Sequence, residues 1–133
     1  MQTATQARVM HRGDLIPDGL YDLGLGKLDP NWVWLSLERD RVVGVLTAAP
    51  CHGVIIVLRV KMDPNAPRTA LRRLLRTCFH DAKQRGFDGY MTWFAEDSED
   101  ERILMTIARN SGGLVIHKVG TAVASWFPPE GTV

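Results

Sequence analysis

The chain has 133 residues, 45% of them hydrophobic and 23% charged, with a formal net charge of +1. That length suits one domain with its own core, and the balanced charge argues against a protein that coats nucleic acid through overall basicity. Cys51 and Cys78 are far apart and match no zinc or CxxC spacing, which predicts free thiols in a reducing compartment, no metal site and a cytoplasmic protein. The longest apolar run, Val54 to Leu58, is far too short to span a bilayer, and the first residues lack an apolar core of signal-peptide length, so no membrane role is expected.

Gln6 to Met10 reads as a first strand, and the glycines and prolines between Arg12 and Asn31 allow only short helical turns. Gly24 and Gly26 form a G-x-G with no strong strand before it and no clear helix after it, a weak dinucleotide signal. From Trp32 to Glu38 the pattern alternates, with Val33, Leu35 and Leu37 on one face and Trp32, Trp34, Ser36 and Glu38 on the other. Arg39-Asp40 makes a tight turn into a second arm, RVVGVLTAA, in which Gly44 marks a bulge or a close contact. Pro50 to Gly53 breaks that run and starts a third arm, Val54 to Met62.

After a break at Asp63 to Pro67, Leu71, Leu74, Leu75, Cys78, Phe79 and Ala82 recur at helical spacing, and Gly86 ends the helix as a left-handed cap. Tyr90 to Phe94 is the next strand, and a strand–helix–strand crossover of this length makes a parallel, right-handed pair in a mixed sheet. Ser98 to Glu101 is a capping box for a second helix, with a buried stripe of Ile103, Leu104, Ile107 and Ala108 and a stop at Gly112-Gly113. LVIHKVG and TAVASWF form a closing hairpin. One domain is expected over residues 1–133, with 1–5 and 128–133 as frayed tails.

A buried strand that turns sharply into a helix aims the helix's first N–H groups and its dipole at one point, where an anion is stabilised. Arg68, Arg72, Arg73 and Arg76 crowd that helix start, where cations oppose the dipole and a bound anion relieves the cost. The same arginines also suit a solvated helix face. A nucleic-acid surface would need them to join Lys61, Lys83 and Arg85 in one patch, and the acids from Glu96 to Glu101 weigh against it.

Strand, irregular helical region, three-strand meander, helix, strand, helix and two strands is an order that resembles the GCN5-related N-acetyltransferases (GNATs), over roughly Gln6 to Phe127. The resemblance implies an α/β (α+β mixed) three-layer fold, a mixed central sheet in the order β-(short α)-β-β-β-α-β-α-β-β. It also implies binding of acetyl-CoA, the pantetheine lying where the strands equivalent to Val54–Met62 and Tyr90–Phe94 splay apart. Carried onto this chain, the cofactor-binding positions are Val60, Met62, Arg68, Thr69, Ala70, Arg72, Arg73 and Ser98.

The family's pyrophosphate loop, Arg/Gln-x-x-Gly-x-Gly/Ala, is altered here. There is no glycine between Gly53 and Gly86; anchoring on Leu74-Leu75 puts Ala66, Thr69 and Leu71 at the patterned positions, and a register that begins at Arg68 puts Leu71 and Arg73 at the later ones. The family's helix tyrosine is replaced by Ala108 or Arg109, and its helix-entry asparagine by Ser98, for which a capping role is better supported. Glu38 is the candidate base, with His52 and His117 behind it; Trp32 and Trp34 suit core packing more than a substrate platform.

The resemblance implies transfer of acetyl to an amine of a small molecule or a protein. The alternative is a catalytically inactive GNAT-fold module that binds another protein, of a kind also met in bacteriophages. Trp126 and Phe127, if exposed, would mark a pairing surface for a homodimer.

Overall fold

The computed structural model describes residues 5–20, 29–94, 102, 106, 109–110, 114–117 and 121–129. Seven strands lie in the order β1-β2-β3-β4-β5-β7-β6: β1 Gln6–Val9, β2 Val33–Glu38, β3 Arg41–Cys51, β4 Val54–Met62, β5 Gly89–Phe94, β6 Leu114–His117 and β7 Thr121–Trp126. Helix α1 spans Arg68–Gln84, and short 3₁₀ turns occupy Asp18–Leu20 and Pro30–Trp32. The chain forms two compact units, Met1–Ala48 with Arg59–Cys78 and Ala49–Leu58 with Phe79–Val133, and β3, β4 and α1 run from one into the other.

In the first unit, β1 pairs antiparallel with β2 from Gln6↔Leu37 to Val9↔Trp34. β2 pairs antiparallel with β3 from Val33↔Thr47 to Glu38↔Arg41. The hairpin turns on Arg39 and Asp40 at φ 50° and 64°, the left-handed pair that a two-residue turn of this hand demands. Its register shifts between Ser36↔Gly44 and Leu37↔Val42, so Val43 is the extra residue of a bulge; its carbonyl accepts from the Asp63 N–H at 2.7 Å.

Val33, Leu35, Leu37, Val42 and Val45 form a core with Leu20, against which Met10 and Ile16 pack. The opposite face of β2 is covered as well, because Trp34 and Ser36 are fully buried. Trp34 is therefore a core residue, meeting Trp32 edge-on with ring centroids 6.1 Å apart. Arg8 holds Asp14 with two hydrogen bonds, of 2.8 and 3.0 Å, and the His11 N–H donates to the same carboxylate. Those bonds fold the segment after β1 and hold the Asp14 carboxyl down at about 2.

In the second unit, β4 and β5 are parallel, β5 pairs antiparallel with β7, and β7 with β6. The sheet is mixed, and the crossover between the parallel pair is α1. Gly86 takes φ 96° as the helix ends; its N–H bonds to the Lys83 carbonyl and that of Phe87 to the Ala82 carbonyl, a Schellman motif. Phe79 stacks on Tyr90 with centroids 4.4 Å apart and packs on Phe127 at 5.2 Å. Phe127 is thus half-buried in an aromatic cluster and Pro128 beyond it is buried, so Phe127 is not the exposed pairing surface considered from sequence. Burial pushes the Tyr90 phenol up to about 12; its hydroxyl makes no hydrogen bond of good geometry, and Ser125 acts on it as a weak opposing polar neighbour.

Arg102, Thr106, Arg109 and Asn110 are helical, and the Thr106 hydroxyl donates to the Arg102 carbonyl one turn back at 2.9 Å. The capping box with Ser98, the stripe of Ile103, Leu104, Ile107 and Ala108, Gly112-Gly113 and the Gly24/Gly26 pair lie outside the described residues, as does the Trp126 side chain.

Candidate functional site

The site lies in the first unit, where β4 ends and α1 begins. Asp63 organises the turn between them. Its carboxylate accepts from the Asn65 N–H at 2.8 Å, its carbonyl from the Ala66 N–H at 2.9 Å, and Pro64 presets the backbone at the turn's second position. Pro67 then stands where a capping side chain would be, and its carbonyl accepts from the Ala70 N–H at 3.0 Å. The first N–H groups of α1, those of Arg68 and Thr69, precede any intrahelical acceptor. No acidic residue sits in the first turn to satisfy the dipole.

The exposed side chains around this uncapped start are Arg68, Thr69, Arg72, Arg73 and Arg76. Arg68, Arg72 and Arg76 follow one another at intervals of four and share a stripe, with Thr69 and Arg73 on the next. Leu71, Leu74, Leu75 and Cys78 take the buried side, which fixes the arginines outward. A helix start with cations, no acid and no cap is electrostatically incomplete, and a multiply charged anion completes it.

The residues expected at a cofactor are not equally placed for one. Val60 and Met62 are half-buried on the last part of β4. Arg73 is partly committed, because its Nη1 donates to the Thr5 carbonyl and ties the segment before β1 to the helix. Ala70 is fully buried and its N–H is already bonded to Pro67, so it has nothing to offer a ligand. Ser98 lies outside the described residues.

Glu38 closes β2 opposite Arg41, beside the exposed turn residues Arg39 and Asp40. The bulge carbonyl of Val43 meets Asp63, so Glu38 stands at the same end of this unit as the α1 start. His52 is exposed, at φ 45° in the turn between β3 and β4, and the side chain of His117 on β6 is not among those described. Among the described residues no group of three or more His, Cys, Asp or Glu side chains converges as a metal site would require, and no helix is long and apolar enough to cross a membrane.

The parting of β4 and β5 that the resemblance implies begins in the second unit. β4 and β5 are in register for four pairs only, from Val54↔Gly89 to Val57↔Thr92. β4 continues to Met62, and its next residue, Leu58, is a large apolar side chain left 49% exposed. At the last pair the Thr92 hydroxyl donates to the Val57 carbonyl at 3.2 Å. The residue at which they part is not marked in the sequence, because it depends on two strands whose facing residues are 35 positions apart.

By sequence, no family model and no curated protein matches the chain. Solved structures do match in fold. Ard1 from Thermoplasma volcanium superposes with a TM-score of 0.67 at 13% identity over 92% of this chain and 96% of its own. The diaminobutyrate acetyltransferase EctA from Paenibacillus lautus, solved with L-2,4-diaminobutyric acid and coenzyme A, gives 0.64 at 13% identity over 99% of both chains. The chain has the GNAT fold. The PaiA N-acetyltransferase from Thermoplasma acidophilum, solved with coenzyme A, gives 0.60 at 10% identity; 71% of this chain is covered and only 60% of PaiA. Identities this low establish a shared GNAT architecture and leave the chemistry of this chain to its own residues.

Proposed function

We propose that this GNAT-fold chain binds acetyl-CoA and transfers the acetyl group to an amine of a small molecule or a protein. The observation that carries the reading is the start of α1: an uncapped, acid-free helix end flanked by exposed Arg68, Arg72 and Thr69. Structural neighbours solved with coenzyme A support the choice of ligand. In this reading the N–H groups of Arg68 and Thr69, the Thr69 hydroxyl and the guanidinium groups of Arg68 and Arg72 hold the pyrophosphate, with Arg73 adding what its bond to Thr5 leaves free. Arginine side chains replace the close backbone approach that glycines would give. The pantetheine runs back along β4 past Met62 and Val60.

In the reaction, the amine nitrogen attacks the thioester carbonyl carbon. A C–N bond forms, the C–S bond breaks, the amine gives up a proton and the departing thiolate takes one. Glu38, at the same end of the first unit as the α1 start, is the residue to test first as the base that takes the amine proton.

The test is calorimetric titration of the protein with acetyl-CoA and with coenzyme A, repeated on the Arg68→Glu/Arg72→Glu variant. Micromolar binding to the wild type, weakened at least 100-fold in the variant, supports the reading. No binding at millimolar ligand refutes it and favours the protein-binding module, which the absence of loop glycines also suits.

A further inference from the structure

β1 ends the strand order in the first unit, and among the described residues it pairs with β2 alone. The direction of its peptide groups follows from the register. The Met10 N–H bonds to the Val33 carbonyl at 2.7 Å, in continuation of the β1–β2 pairing. Hydrogen-bonded pairs recur at every second residue of an antiparallel ladder, so Gln6 and Arg8 turn their backbone groups to β2 while Ala7 and Val9 turn theirs out of the edge. An edge of this kind is a template for a further strand.

Two arginines already occupy it. Arg8 Nη1 donates to the Val9 carbonyl at 3.2 Å, while the same guanidinium holds Asp14 by bonds of 2.8 and 3.0 Å. Arg73 Nη1 reaches from α1 to the Thr5 carbonyl, just before the strand. A second copy laid antiparallel about Ala7 would set Thr5 of each copy opposite Val9 of the other, and its ladder would need the Thr5, Ala7 and Val9 carbonyls as acceptors. Among the described residues only the Ala7 carbonyl is free of a guanidinium. The same alignment brings Arg8 of one copy to the rung that Arg73 of the other reaches, at both ends of the pairing, so like charges meet there.

We infer that Arg8 and Arg73 close the β1 edge against pairing with the β1 of a second copy of this chain. Each guanidinium takes a carbonyl that the incoming strand needs, and the ion pair with Asp14 keeps the Arg8 guanidinium over Val9. The inference does not depend on the acyl-CoA reading.

The test is self-association of the full chain, measured by sedimentation equilibrium from micromolar to near-millimolar protein. Arg8→Ala/Arg73→Ala frees both carbonyls; Arg12→Ala/Arg41→Ala removes two exposed cations of the same unit and is the control. The first variant is expected to associate at least tenfold more tightly than the wild type, and the control within twofold of it. Ala7→Pro added to the first variant should return it to wild-type behaviour, because proline removes the outward N–H and leaves the bonds to β2 in place. Amide hydrogen exchange locates the contact: the Ala7 amide slows tenfold or more as the first variant is concentrated, and the Met10 amide, already bonded to Val33, stays within twofold. If the double substitution prevents folding, Arg73→Ala alone, which leaves Asp14 its partner, carries the same comparison. A variant no more associated than the wild type, association that survives Ala7→Pro, or a wild type whose own Ala7 amide slows with concentration overturns the inference.

Discussion

Gly44 is the position where the bulge, the packing of β2 and the end of β4 meet, and Gly44→Ala tests all three. A Cβ placed there stands 2.5 Å from Met62 Sδ, 2.7 Å from Met62 Cε and 3.1 Å from Ser36 Cβ. Heavy atoms rest without repulsion at about 3.5–4.0 Å, so the Met62 thioether must retreat by about 1 Å or more. Ser36 is fully buried and its side of the contact has little room to yield. Methionine is flexible, and overpacking of this kind costs about 1–3 kcal/mol. The φ of Gly44 lies outside the left-handed region, so the alanine adds no backbone strain. It also restricts the unfolded chain, which returns about 0.4–1 kcal/mol. The net expectation is a loss of about 1–2 kcal/mol, read as a lower urea midpoint at constant slope and a Tm lower by about 3–8 °C. In a Met62→Ala background the obstacle is gone, and Gly44→Ala becomes neutral or stabilising. A single variant as stable as the wild type, or a penalty that persists undiminished without Met62, refutes the reasoning.

Two further substitutions probe local features. Asp40 holds a left-handed backbone at φ 64°, and Asp40→Gly is expected to raise stability by about 0.5–1 kcal/mol in urea unfolding; a loss would mean that the Asp40 side chain contributes more than its backbone costs. Asp14 titrates at about 2 in the folded chain, below its ordinary 3.8, because Arg8 binds the ionised form. Its contribution is therefore present above the unfolded value and lost as the pH falls from about 4 toward 2. With the Arg8 side chain 35% exposed, solvent screening holds that contribution to about 0.2–1 kcal/mol. Asp14→Asn should flatten this stretch of the stability–pH curve, and an unchanged slope would show that the ion pair contributes nothing.

The elements that local chemistry dictates were legible in the sequence. The leucine spacing and Gly86 define α1 and its end, Arg39-Asp40 defines the hairpin turn, and Gly44 proves to be both next to a bulge and in close contact, with Met62. The Asp63-Pro64-Asn65 turn is likewise written in residues that bond to their own backbone. What depended on distant partners was not. Nothing near Arg73 tells that it bonds to the Thr5 carbonyl, 68 positions away. Ala70, which the resemblance places at the cofactor, is fully buried by the packing of the helix. That Glu38 stands at the α1 end of its unit follows from the β2–β3 register and the Val43–Asp63 bond, which nothing near Glu38 discloses. The Thr92–Val57 bond, which marks where β4 and β5 part, involves two residues unremarkable in a strand-forming run.

The central claim is that the β4 end and the α1 start hold a coenzyme A phosphate. Amide ¹H–¹⁵N spectra recorded through a coenzyme A titration test it most directly. The account predicts saturable shifts concentrated at Arg68, Thr69, Val60 and Met62, with the Asp14 turn unmoved. Saturable shifts centred elsewhere, or none at millimolar coenzyme A, would contradict it.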